Sequence, residues 1–202
     1  MAAPDALLCD MNGLFRHWRN TGARNGEIAA DLPIGTIAVY AYRHHSYRQA
    51  KVGTLSSQQW VDDVERRLIE DFGPRAKAAI GPWRSDRGEA DPLMVDLLAQ
   101  ARRHLPVAVL SNSTDALHSD LIHHGIEFDF VFPTADIGAL KPTAQAYLTA
   151  ASRMGVAPDR LYFFDDQQSF VAGAIDAGLA GQLFTGPAAF AKTLNRFGIA
   201  VS

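Results

Sequence analysis

The chain has 202 residues, 48% hydrophobic and 20% charged, with 19 basic against 22 acidic side chains and a formal net charge of -3. That apolar fraction suffices for a buried core and excludes disorder over most of the length. The charge balance leaves no basic footprint for nucleic acid and no polybasic patch for a membrane surface. No run nears the ~18 apolar residues that a helical membrane span needs. Cys9 is the single cysteine, so an internal disulfide is impossible and a reducing, cytoplasmic setting is expected. The N-terminal segment lacks a basic stretch, and Asp5 and Asp10 interrupt its apolar residues; no signal peptide is expected.

Ala6-Leu7-Leu8-Cys9 predicts a first strand. From Leu14 to Glu89 the rhythm changes. Ile34 to Tyr42 is apolar and β-branched but isolated, and it receives no assignment. Ser56 and Gln59 form the S-x-x-Q pattern of a capping box ahead of Trp60, Val61, Val64, Leu68, Ile69 and Phe72 at helical spacing, with Gly73 as the stop. Gly35, Gly53, Pro74, Gly81 and Pro82 punctuate short connections. Residues 14–89 are therefore expected to form a mostly helical insert, with the Trp60 stripe as its own core rather than a ligand platform.

Beyond the insert, strands and helices alternate. Asp91 and Pro92 open a helix that runs to Ala101. Pro106 to Leu110 is apolar on both faces, as a buried parallel strand should be. A helix from Thr114 to His124 ends at Gly125, followed by a strand over Phe128 to Phe132. A helix over Pro142 to Met154, a strand over Leu161 to Phe164, a helix over Val171 to Ala177 and a short strand over Gln182 to Phe184 complete the pattern. Alternation in this order predicts an α/β fold with a parallel sheet and right-handed crossovers.

Three strands run into polar residues: Asp10-Met11-Asn12-Gly13, Ser111-Asn112-Ser113 and Asp165-Asp166-Gln167. In an open parallel sheet the carboxyl ends of the strands line the ligand crevice. Clustered carboxylates repel unless a cation sits among them, and Mg2+ suits such hard oxygen donors. Lys141 precedes a helix on the same edge. Carboxylates, a metal, a hydroxyl and a lysine around one crevice can hold a phosphoryl group and neutralise its oxygens.

Asp10-Met11-Asn12-Gly13, Leu110-Ser111-Asn112, Gly138-Ala139-Leu140-Lys141-Pro142 and Phe163-Phe164-Asp165-Asp166 resemble, in order, the four motifs of the haloacid dehalogenase superfamily. Each motif alone is weak; the ordered set, each at the right structural boundary, is strong. The long interval between the first two is similar to the subfamily whose cap is inserted after the first strand. The resemblance implies a Rossmann-like core from residues 1–13 and 90–202 with a helical cap over 14–89. It implies Asp10 as the nucleophile of a covalent aspartyl intermediate, Ser111 bonded to the transferred group, and Lys141 steadying both. It implies Mg2+ held by Asp10, Asp165, Asp166 and the backbone carbonyl of Asn12. Asn112, and Arg16 from the cap side, join Ser111 and Lys141 as expected substrate contacts; His17 and Arg19 are expected to be solvated.

Two positions depart from the family pattern. Phe170 stands where many relatives place another acid or an asparagine, a ligand that the Asp165-Asp166 pair makes unnecessary. Asn12 replaces the aspartate that protonates the leaving group and later activates water. An amide cannot act as a Brønsted acid or base, and a lost general acid typically costs ~10²–10⁴-fold. Weak Mg2+-dependent phosphatase activity on a small phosphorylated metabolite is expected, favouring aryl or acyl phosphates over alkyl esters, with Asn12→Asp restoring the alkyl esters. The alternatives are a carbon–halogen hydrolase, in which halide leaves without a proton, and a non-catalytic binding module. A response-regulator receiver is excluded, because its acid pair comes first in the chain. Cys9 should point away from Asp10 as a core residue. His44-His45 and His123-His124 lack ligand spacing, and their side chains are expected to diverge at the surface. A monomer or homodimer is expected.

Overall fold

The computed structural model describes residues 3–202; positions 1 and 2, the start of the expected segment 1–13, lie outside the described residues. Strand β1 (Ala6–Cys9) is buried at every position. Strand β2 (Arg16–His17) follows, then α1 (Thr21–Ala29), α2 (Thr36–Tyr42), α3 (His45–Lys51), α4 (Ser57–Phe72), a 3-10 segment over Pro74–Ala79, and α5 (Ile80–Ser85). Strand β3 (Glu89–Ala90) runs antiparallel to β2, so the outgoing and returning chains form one ribbon.

The capping box of α4 is present: Ser56 Oγ accepts from the Gln59 N–H at 3.1 Å, and Gln59 Oε1 from the Ser56 N–H at 2.8 Å. Helix α2 fills the segment that has no sequence assignment. Its first N–H groups have no partner within the helix, and the buried Glu27 carboxylate accepts from Gly35 at 3.0 Å and Ile37 at 2.8 Å. A carboxylate on a neighbouring helix, not a local cap, secures this start. Helices α1, α2, α4 and α5 share an apolar cluster containing Ile37, Trp60, Leu68 and Trp83, with no member in common with the clusters flanking the sheet. Leu14 and Phe15 are buried with the sheet.

The remaining elements are α6 (Pro92–Ala101), β4 (Val107–Ser111), α7 (Ala116–His124), β5 (Phe130–Pro133), α8 (Thr134–Ile137), α9 (Ala144–Met154), β6 (Leu161–Asp165), α10 (Gln168–Asp176), β7 (Ala180–Leu183) and α11 (Pro187–Arg196). Helix α10 starts earlier than its apolar residues suggest, because Phe170 and Val171 both donate to the Gln167 carbonyl and the exposed Gln168-Ser169 pair forms its first turn. The paired histidines do not diverge: the rings of His44 and His45 lie 3.9 Å apart, and those of His123 and His124 5.0 Å. Nor are all four surface residues. His44 is half-buried and caps α3 by accepting from the Ser46 N–H, and half-buried His124 donates to the Arg87 carbonyl at 2.9 Å.

The five strands are parallel in the order β5-β4-β1-β6-β7. Helices α6, α7 and α11 cover one face, and α8, α9 and α10 the other. β1 lies between β4 and β6, so the connections leave it in opposite directions. A crevice opens at the carboxyl ends of strands at such a switch point, where Asp10, Ser111 and Asp165 lie.

Candidate active site

Asp10 follows the last residue of β1 and stays in the ladder through its N–H to the Phe164 carbonyl. Its Oδ1 lies 2.9 Å from Lys141 Nζ, which also reaches Asp165 Oδ2 at 2.6 Å, all three side chains being buried. A buried ammonium is tolerated only when paired, and here two carboxylates share it. The loop carrying Lys141 is held by Asn112, whose Nδ2 donates to the Lys141 carbonyl at 3.0 Å and whose Oδ1 accepts from the Lys141 N–H at 2.8 Å. The Asn112 amide, expected to contact substrate, is therefore occupied in placing Lys141.

Asp165 Oδ1 accepts from the Gln167 N–H at 2.8 Å. Burial pushes the Asp165 carboxyl up to about 6, opposed by the Lys141 ammonium and reinforced by the charge of Asp10. Burial, and then Asp10, also raises Asp166. Asp10, Asp165 and Asp166 each present an oxygen within 4.8 Å of the others. Gly13 makes room for this: at φ 80, a Cβ on it would lie 2.2 Å from Asp166 Oδ2. Three crowded carboxylates, with pKa values raised at Asp165 and Asp166, and a glycine beside them fit a divalent cation. Ser111 Oγ, at the end of β4, is buried with no hydrogen-bond partner among the described residues. Such a group typically costs ~1–3 kcal/mol unless a ligand satisfies it.

Asn12 Oδ1 accepts from Arg16 Nε at 3.0 Å and from Trp18 Nε1 at 2.9 Å. Both partners can only donate, which fixes the amide and leaves Nδ2 for a ligand. Arg16 is buried, its Nη1 lies 2.6 Å from Asp120 Oδ2, and its guanidinium lies 4.7 Å from the Trp18 ring centroid. The guanidinium expected to reach substrate is thus engaged within the protein, although the residue does border a cavity. Arg87 binds the other oxygen of Asp120 at 2.7 Å. His17 and Arg19 meet Asp91 and Glu89. Burial raises the Cys9 thiol far above its usual range, consistent with a core residue.

Trp18, Asp120 and Arg87 are site neighbours that sequence reasoning missed. Trp18 stands inside the cluster of basic residues that drew attention to Arg16. Asp120 and Arg87 carry no motif, and Arg16 meets Asp120 across 104 positions. The cavity, about 630 Å³, lies between α2–α5 and α7 and reaches the strand ends at Asn12 and Asn112. Trp60 and Val61 border it as well as packing in the apolar cluster, so this stripe is both core and cavity wall.

Residues 8–178 match a family model described as haloacid dehalogenase-like hydrolase. Phosphatase MT3486 of Mycobacterium tuberculosis (strain CDC 1551 / Oshkosh) is 35% identical over 88 residues, spanning 41% of this chain and only 40% of that protein's length. A HAD family enzyme from Bacteroides thetaiotaomicron, solved with magnesium and inorganic phosphate, superposes with a TM-score of 0.72 at 18% identity, covering 90% of this chain and 94% of that one. The L-2-haloacid dehalogenase PA0810 gives 0.67 at 20% identity, covering 90% and 83%. At these identities the structural likeness is one of fold.

Proposed function

Because the chain belongs to the haloacid dehalogenase-like hydrolases, we propose that it is a Mg2+-dependent phosphatase acting on a small phosphorylated molecule through Asp10. Residues 14–89 would serve as the cap over a core formed by 1–13 and 90–202. The observation that carries this reading is the three-carboxylate cluster of Asp10, Asp165 and Asp166 beside the unpartnered Ser111 hydroxyl. The cluster calls for a cation, and the hydroxyl for an acceptor such as a phosphoryl oxygen.

Asp10, Asp165, Asp166 and the Asn12 carbonyl would hold Mg2+, which supplies charge neutralisation to the phosphoryl oxygens when bound. Lys141 holds Asp10 in place through the 2.9 Å contact and adds positive charge beside the transferred group. Asp165 fixes Lys141 from the other side. Ser111 Oγ donates to a phosphoryl oxygen, and Asn12 Nδ2 to the leaving-group oxygen. Asp10 attacks phosphorus, the leaving group departs, and water hydrolyses the aspartyl phosphate. Arg16 orients Asn12 at the edge of the substrate space.

A second reading, carbon–halogen hydrolysis, is favoured by Asn12, since an amide N–H can stabilise a departing halide that needs no proton. Release of phosphate from an ester panel, with and without a chelator, tested alongside halide release from a 2-haloacid, decides between them. Chelator-sensitive phosphate release is expected; halide release alone would reject the phosphatase. Among the described residues, no helix is long and apolar enough to cross a membrane.

A further inference from the structure

The cavity that meets the strand ends at Asn12 and Asn112 encloses about 630 Å³, far more than a phosphate group needs and within the ~300–1,000 Å³ of small-molecule sites. Tyr42, Tyr47, Trp60 and Trp83 line it, together with Trp18 next to Asn12. These rings brace one another. Trp60 meets Trp83 edge-on at 5.3 Å, Tyr47 lies 5.0 Å from Trp60, and Tyr42 lies 5.1 Å from Tyr47. Two indole edges are satisfied within the wall: Trp60 Nε1 donates to the Ala41 carbonyl at 3.1 Å, and Trp83 Nε1 to Tyr42 Oη at 3.3 Å.

The acidic groups of the cavity are also in use. Asp120 holds Arg16 and Arg87, Asp86 accepts from the N–H groups of Gly22 and Gly88, and Asp115 accepts from the N–H of Ser57. Each carboxylate thus already accepts a hydrogen bond or ion pair from the protein, and a flat ring would find π-faces held in position.

We propose that this cavity receives a planar aromatic leaving group, so that the substrates are aryl phosphates, phosphate monoesters of a phenolic hydroxyl. The inference rests on the phosphatase reading and deepens it. Aromatic contacts favour stacked and edge-on rings, and Trp18, tied to the oxygen of Asn12, puts one ring of the wall beside the amide assigned to the leaving oxygen. The chemistry at Asn12 agrees, since a phenolate leaves without a general acid. Asp10 attacks phosphorus and the phosphorus–oxygen bond to the ring breaks, its electron pair leaving on the phenolate. Water then attacks phosphorus, freeing the Asp10 carboxylate and phosphate. One water in all supplies hydroxyl to phosphorus and a proton to the phenol.

The test uses the full chain with Mg2+ and two activated substrates, 4-nitrophenyl phosphate and acetyl phosphate. Acetate is the weaker base, so leaving-group chemistry alone favours acetyl phosphate. With a ring site, kcat/KM for the aryl substrate exceeds that for acetyl phosphate by roughly tenfold, and Tyr42→Ala lowers that ratio about tenfold, chiefly through KM. Turnover of acetyl phosphate with no aryl preference overturns the inference and leaves the phosphatase reading standing. No Mg2+-dependent turnover of either substrate overturns both. Calorimetry on Asp10→Asn with Mg2+ needs no change in the cavity wall: 1-naphthyl phosphate should bind about tenfold tighter than inorganic phosphate, and equal binding rejects the ring site.

Discussion

The crevice at the ends of β1, β4 and β6 and the cavity bordered by α2–α5 and α7 touch at Asn12, yet they are built differently. In the crevice, Lys141 is buried between Asp10 and Asp165, with Asp166 alongside. Fixed charges in a water-poor site favour one reaction, because they need no reorganisation when charge develops. The cavity wall carries a group of aromatic rings, and Asp120 there is tied to both Arg16 and Arg87. Aromatic contact has a preferred geometry but offers no nucleophile, acid or base, so such a wall can select a molecule without acting on it. On the proposed reading, chemistry and selectivity are housed in separate materials, and each can be broken separately.

The largest effect is expected from Asp10→Asn, which removes the proposed nucleophile and should take turnover of every substrate to background while the circular dichroism spectrum persists. Lys141→Met tests the charge balance of the crevice instead. It leaves two buried carboxylates without their shared cation, a change that typically costs ~3–5 kcal/mol, read as a lower denaturant midpoint at unchanged slope. The loss should deepen with pH. Burial already pushes the Asp165 carboxyl up to about 6 from an ordinary 3.8, and removing Lys141 removes a charge that opposes this rise. A folded-state value raised in this way contributes stability that is complete below the unfolded value and is lost as pH rises through the folded one. Chemical denaturation of the metal-free variant at pH 5 and pH 8 should show the larger deficit at pH 8.

The two regions were also unequally legible in the sequence. Asp10, Ser111 and Asp165 could be located because each ends an apolar run, and parallel pairing brings such ends together at one edge. Lys141 was marked by the proline and helix that follow it. The job of Asn112, gripping the Lys141 backbone, could not be read, since an amide at a strand end looks the same whether it faces a ligand or a loop. On the cap side, the capping box gave the start of α4, but α2 depends on Glu27 from α1. The tie of Arg16 and Arg87 to Asp120 joins the ribbon region to α7, and no local pattern encodes it. Trp60 had the right helical spacing for a core residue; that it also borders a cavity depends on Tyr47 and Trp83, which come from other helices.

Metal binding gives the next effect in size. Mg2+ at 100 times its dissociation constant should stabilise the native state by about 2.7 kcal/mol, seen as a raised melting temperature. Asp166→Asn should remove most of this gain while leaving the Lys141 pairs and the aromatic wall intact. A melting shift unchanged by the substitution would place the metal away from the carboxylate cluster. Such a result would also remove the crevice's claim to a different kind of chemistry from the cavity.

Asn12→Asp has the smallest expected effect and bears directly on the point where the regions meet. Sequence reasoning alone expects a gain of ~10²–10⁴-fold on alkyl esters, the worth of a general acid. The surroundings of Asn12 alter that expectation. Arg16 Nε and Trp18 Nε1 both donate to its oxygen, at 3.0 and 2.9 Å, so a carboxylate placed there would gain a guanidinium partner that favours its ionised form. An ionised carboxylate cannot protonate a departing alkoxide, but it can accept a proton from the water that hydrolyses the aspartyl phosphate. The benefit should therefore fall on aryl phosphates, whose first step is already easy, raising kcat roughly tenfold and leaving alkyl esters less improved. Stopped-flow kinetics can follow this change. The parent enzyme should release a burst of phenol and then turn over slowly as the intermediate accumulates, and the burst should shrink in the variant. A gain of ~10²-fold or more on alkyl esters would show that Arg16 does not hold the new carboxylate ionised, and that the cavity side of Asn12 has no grip on the chemistry.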